Sequence, residues 1–154
     1  VKIAFGSDHA GYELKEYLKK AIEDTHQIVD VGTMSQESVD YPDFAIKVAR
    51  LVASGEVHRG VLICGTGIGM SVTANKVAGI RAALVFDLYT AVQSRRHLDA
   101  NILVLGAQVT GKGLALEILK NWLATAFEGG RHARRIEKIK RLEDDSHGAA
   151  EGRR

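Results

Sequence analysis

Residues 60–77 read GVLICGTGIGMSVTANKV. The apolar run at 60–63 predicts a buried strand, the glycines at 65, 67 and 69 break it, and residues 68–77 predict a helix. Strand, glycine turn and helix in that order form the repeating unit of a parallel α/β fold.

Working outward, the same alternation recurs. Upstream, residues 3–5 read as a strand, SDHAG as a turn, and Leu14, Tyr17, Leu18 and Ile22 as one face of a helix. Residues 28–31 predict a second strand and 44–52 a second helix, with Pro42 in its first turn, where a missing amide hydrogen costs nothing. Downstream, strands are expected at 82–86 and 102–105. A helix opened by Asp87 is expected over 88–96, and a longer one capped by Thr110 over about 111–125. Leu114, Ile118, Leu119 and Trp122 recur there at helical spacing, which reads Trp122 as core. The expected fold is α/β: a three-layer α/β/α sandwich, Rossmann-like, around a five-stranded, mostly parallel sheet with right-handed crossovers. A single domain over residues 1–141 accounts for the pattern; DDSHGAAEGRR is polar and small, and residues 142–154 read as a flexible C-terminal tail.

The chain has 154 residues, enough for one core and too few for two ordinary domains. With 45% hydrophobic and 26% charged residues it falls among globular proteins rather than disordered ones. No apolar run reaches the length of a membrane span, and the opening VKIAFGSDHAG has no signal-type apolar core, so a cytoplasmic protein with no membrane partner is expected. A lone cysteine, Cys64, is inert packing, a reactive thiol or an intermolecular link. Residues 131–141 carry six Lys or Arg against one Glu, which suits a solvated helix face, a nucleic-acid patch or a small-anion binder.

Ligands of open parallel sheets bind at the carboxyl ends of strands, so those ends are the places to look for chemistry. Ser7-Asp8-His9, Cys64-Gly65-Thr66-Gly67-Ile68-Gly69 and Phe86-Asp87 occupy them, and the reading gathers Arg95-Arg96-His97 onto the same rim. Backbone amides of the glycine segment are placed to cradle an anion; a tight turn with glycines for sterics alone is the plainer reading. A dinucleotide fingerprint does not fit, because G-x-G-x-x-G spacing is absent after Gly65. Neither paired metal-ligand spacing nor an H-E-x-x-H helix is present, nor a G-x-S-x-G elbow, so a metal centre and a serine hydrolase are not expected. Cys64, at the mouth of the cradle, has an address that favours a reactive thiolate. Asp8 and His9 read equally as an acid-base pair or as a cap and a surface imidazole, and His97 as a helix-end histidine or a functional one.

Five segments taken in order carry a more specific signal: SDHAGYELK, SVDYPDFA, CGTGIGMSVTANKVAGIRAAL, SRRHLDANILVLG and FEGGRHARRI. Together they resemble the ribose-5-phosphate isomerase type B family, which also contains allose-6-phosphate isomerases and subunits of galactose-6-phosphate isomerase. The likeness spans about residues 2–141.

The resemblance implies interconversion of ribose 5-phosphate and ribulose 5-phosphate through a cis-enediolate, without metal or organic cofactor. It implies that Cys64 moves the proton between C2 and C1, since the base of the family's glutamate-using branch falls at Met70, whose thioether cannot serve. Thr66, with the amides from Gly65 through Gly67 to Gly69, would hold the developing oxyanion. Asp8 and His97 would open the furanose ring, Tyr41 would line the pocket, and His9, Arg131 and Arg135 would hold the phosphate. It further implies a homodimer or dimer of dimers with sites shared between chains, and no nucleic-acid partner. Two departures stand out: Leu98 replaces a polar pocket amide and Gln108 an arginine near the phosphate. They keep two further readings in play, an isomerase of another aldose phosphate and a non-catalytic sugar-phosphate binder.

Overall fold

The computed structural model describes the backbone of residues 1–151 and the side chains of residues 1–145. Strands and helices alternate in the order β1 (Lys2–Ser7), α1 (Tyr12–Ile22), β2 (Gln27–Asp30), α2 (Tyr41–Ala53), β3 (Arg59–Cys64), α3 (Ile68–Ala74), β4 (Ala82–Leu84), α4 (Leu88–Leu98), β5 (Ile102–Gly106), α5 (Lys112–Ala124) and α6 (Arg131–Glu151). The five strands form one sheet in the order β2-β1-β3-β5-β4, with every pairing parallel. The α/β sandwich expected from the alternation is therefore present, with a sheet that is wholly parallel.

Both faces of the sheet are covered, which explains why the central strands read as continuous apolar runs. One face packs Ile3, Phe5, Val61, Ile63, Leu103 and Leu105 against α1, α4 and α5. The other packs Ala4, Leu62, Ile102 and Val104 against α2 and α3. Trp122 is fully buried on the first face, as its helical spacing predicts, and the guanidinium groups of Arg59 and Arg95 lie over its ring, 5.2 and 5.7 Å from the centroid. Burial and the nearby Arg95 charge lower the Arg59 pKa to about 10.

Lys15 lies fully buried on the inner side of α1, where α1 meets the end of β2. Its ammonium reaches Asp30 at 2.6 Å, and Lys19 reaches the same carboxylate oxygen at 2.5 Å. Burial alone would raise the Asp30 carboxyl, yet the hydrogen bonds from Lys15 and Lys19 outweigh it and hold the group below its ordinary value. The other Asp30 oxygen accepts the Gly32 amide at 2.8 Å, so this ion cluster also fixes the chain leaving β2.

Several boundaries differ from expectation for local reasons. Thr110 does not cap α5: the N-cap is Gly111, and the Thr110 amide turns back to Gly106 O at 2.9 Å, burying its hydroxyl without a partner. α3 stops at Ala74 because Asn75 leaves the helix to exchange two hydrogen bonds with the Ala82 backbone. β4 ends at Leu84, and Phe86 turns out to solvent. Leu114 and Tyr17 lie on the outer edges of their helices and are exposed, the Tyr17 ring beneath the Lys112 ammonium. The helix beginning at Arg131 continues to Glu151, through most of the segment read as a tail; residues 152–154 lie outside the described residues. Among the described residues no helix is long and apolar enough to cross a membrane.

Candidate active site

The chain leaves β1 toward β2 on one side and β3 toward β4 on the other, so a crevice opens between the carboxyl ends of β1 and β3. Two loops meet there. The Asp8 amide donates to Ile63 O at 3.2 Å, and the Asp8 carboxylate accepts the Gly11 amide at 3.1 Å in a closed turn. A Cβ on Gly11 would lie 2.8 Å from the Ile63 carbonyl carbon, so only glycine lets this turn press against β3. His9 Nδ1 accepts the Val39 amide at 3.2 Å, which leaves Nε2 as the hydrogen-bearing nitrogen of the ring.

Cys64 closes β3 and is buried, with Sγ accepting the Gly67 amide at 3.2 Å. Gly67 has φ +83°, a left-handed conformation that turns its amide back to the sulfur and starts α3. Thr66 Oγ1 accepts the Ile68 amide at 3.2 Å. The expected cradle is thus narrower than the run of glycines implies. The Gly67 and Ile68 amides are engaged within the loop, while those of Gly65, Thr66 and Gly69 have no hydrogen-bond partner among the described residues.

Side chains from two other elements cover the loop. Tyr41, first residue of α2, lays its ring over Gly69, where a Cβ would lie 2.9 Å from the phenol oxygen. Gln108, after β5, lies over Gly65, its Oε1 3.1 Å from where a Cβ would stand. Met70 is fully buried behind Cys64, packed with α2 and β5.

His97, Arg131 and Arg135 are elsewhere. Helices of βαβ units run antiparallel to their strands, so α4 begins at the Cys64 rim with Asp87 and ends at the opposite one. Asp87 is the N-cap, accepting the Thr90 amide at 2.7 Å. His97, in the last turn of α4, lies beside the start of β5, whose first residue pairs with Gly60. The strand from Gly60 to Cys64 separates the two ends by roughly 13 Å at about 3.3 Å per residue. Gathering Arg95, Arg96 and His97 onto the Cys64 rim is therefore corrected: the structure forms two groups, Asp8, His9, Tyr41, Cys64 and Thr66 at one end and His97, Arg131 and Arg135 at the other.

The second group is held by Arg95, buried, whose Nη1 binds Ala100 O at 2.7 Å and the Asp99 carboxylate at 2.9 Å, and whose Nε binds Thr125 O at 3.2 Å. Arg131 and Arg135 are exposed and one turn apart, on one face of α6, as their spacing predicts. Sequence reading missed His132, which is buried and stacks on His97 with centroids 4.1 Å apart and planes 11° apart. Glu128 joins them, 3.6 Å from His132 Nε2 and 4.0 Å from His97 Nε2. The donor atoms of His97, Glu128 and His132 lie within 4.8 Å of one another. The parallel rings, however, send their in-plane lone pairs side by side instead of toward one point, an arrangement unsuited to joint coordination of an ion.

The comparisons with known proteins agree with this architecture. The family described as Ribose/Galactose Isomerase matches residues 3–139. This chain belongs to that family. Membership places it among the aldose-ketose isomerases. The chain is 49% identical over 143 residues to ribose-5-phosphate isomerase B of Escherichia coli, covering 92% of this chain and 96% of that protein. Its fold is similar to that of Clostridium thermocellum ribose-5-phosphate isomerase B, with a TM-score of 0.94, 52% identity and 95% and 99% of the two chains covered. The Mycoplasma genitalium ribose-5-phosphate isomerase B solved with bound ribulose-5-phosphate is also similar, with a TM-score of 0.90, 40% identity and 93% and 96% covered.

Proposed function

We propose that this isomerase interconverts ribose 5-phosphate and ribulose 5-phosphate in sites assembled from two copies of the chain, with Cys64 as the proton-transfer base. The observation that carries the reading is the Cys64 sulfur at the crevice between β1 and β3, facing the Gly67 amide, with only the thioether of Met70 as the next candidate along the loop.

The chemistry follows from the substrate. Ribose 5-phosphate is mostly a closed furanose, so the ring must open first: Asp8 and His97 divide the two proton transfers, one at the anomeric hydroxyl and one at the ring oxygen. The Cys64 thiolate then takes the proton from C2, and the electron pair moves onto the C1 carbonyl oxygen to give the enediolate. Thr66 and the unengaged amides of Gly65 and Gly69 stabilise that oxygen. Cys64 returns the proton to C1 while the C2 hydroxyl proton passes to the C1 oxyanion, which leaves a C1 hydroxyl and a C2 carbonyl, the ketose. One carbon is oxidised and its neighbour reduced within one molecule, so no external electron carrier is needed. His9, Arg131 and Arg135 hold the phosphate and with it the sugar's register.

Separation of the two groups supports a shared site, since no single copy brings His97 to Cys64. Ile68, Val72, Phe86, Leu88 and Tyr89 are exposed beside the Cys64 rim, an apolar surface suited to burial against a second copy in a homodimer or dimer of dimers.

The test is turnover and C2 proton exchange on a panel of ribose, allose and galactose phosphates, for the native chain and Cys64→Ala. Loss of about a thousand-fold or more in both, with the fold intact, is expected; near-native activity in the variant would overturn the assignment. Leu98 and Gln108 favour a second reading, an altered sugar preference, which the same panel resolves. Binding without exchange on any sugar would instead mark a non-catalytic sugar-phosphate binder.

A further inference from the structure

Apart from its neighbour His132, little restrains the His97 imidazole. It is exposed on the last turn of α4, and its nearest carboxylate oxygen, on Glu128, is 4.0 Å away. His132 is different: 4% exposed, at the start of α6, with an Nε2 that has no hydrogen-bond partner. Its flat face is what His97 rests on.

The geometry points to His132 as a positioning residue for His97, a buried platform that fixes the plane of the His97 ring. This rests on the reading that His97 takes part in ring opening. An acid that must meet one ring oxygen gains from an orientation set before the sugar arrives. Stacked rings tolerate one charge between them far better than two. The groups facing His132 are His97 of α4, Glu128 before α6, and Arg131 and Arg135 of α6, with Arg96 beyond Glu128. Burial, then His97 and Arg131, push its pKa down; Glu128 opposes them and Arg135 adds to them, so the surroundings disfavour a charge on the buried ring.

The experiment compares His132→Phe and His132→Ala with the native enzyme. It follows kcat and KM for ribose 5-phosphate, and exchange of the C1 protons of ribulose 5-phosphate into heavy water. The ketose cannot close a five-membered ring, because its O5 carries the phosphate, so its exchange needs Cys64 chemistry but no ring handling. His132→Ala should lower kcat for ribose 5-phosphate about ten-fold or more, with KM changed by no more than about two-fold and exchange from ribulose 5-phosphate near native. His132→Phe keeps a flat stacking face of similar size, so it should recover most of kcat. The inference is overturned if both variants lose ring-dependent and ring-independent rates together, or if neither loses anything. It is also overturned if Phe rescues nothing. His97→Asn separates this from the functional reading: if that variant still turns over ribose 5-phosphate normally, the role of His97 itself fails, whatever His132 does.

Discussion

Cys64 and His97 stand at opposite ends of the β3 and β5 strand pair within one copy of the chain. If each site takes its thiol from one copy and its imidazole from another, two inactive variants should repair one another. Mixed Cys64→Ala and His97→Asn chains, unfolded and refolded together in equal amounts, form mixed pairs in which one of two sites has both native residues. Recovery of roughly a quarter of native activity is expected from random two-fold pairing. Activity no higher than that of the separate variants would mean that each site draws both residues from the same chain.

Gly69 lies under the Tyr41 ring, in a space that a methyl group would occupy. Gly69→Ala should push Tyr41 away from the cradle while adding helix propensity at α3. The expected result is a KM for sugar phosphate raised about ten-fold with thermal stability close to native. A steady-state titration together with a melting curve checks both halves.

Gln108 lies over Gly65 at the rim of the same loop. Gln108→Arg would place a guanidinium beside the cradle, where the substrate is doubly negative. KM should fall several-fold, on the order of 1 kcal/mol of added binding, and the gain should shrink as salt is raised. Unchanged KM at low salt would place the phosphate away from this residue.

Asp30 joins two ammonium groups, one of them on a fully buried lysine. Asp30→Asn leaves Lys15 without its main counter-charge and should cost about 3 kcal/mol at neutral pH by denaturant unfolding. The sign with pH follows from the lowered carboxyl. The unfolded group binds a proton near the ordinary value of 3.8 while the folded one does not. The native chain should therefore hold this contribution above that pH and lose it as pH falls through the lower folded value. The gap between native and variant should close in that acid range.

The half-site around Cys64 was legible because its determinants are local. A strand, three alternating glycines and a helix specify where the thiol emerges, and Asp8 follows from the end of β1 in the same way. The other half was misplaced for a reason that is also simple: a residue late in a crossover helix lies at the opposite end of the sheet from one early in it. Asp87 and His97 belong to one helix and to different rims. His132 was not legible, because nothing in FEGGRHARRI tells which side of a helix another helix will cover. Its burial depends on α6 lying against α4. Thr110 shows the converse error, a good capping residue whose hydroxyl was drawn inward by a turn one residue before the helix began.

Trp122 is the chain's sole tryptophan, and the guanidinium groups of Arg59 and Arg95 lie over its ring, the second of these also holding the last turn of α4. The protein thus contains an optical reporter at the edge where His97 resides. Emission from this indole, dry and close to two cations, should respond when that edge shifts, and stopped-flow fluorescence could time its motion without a label.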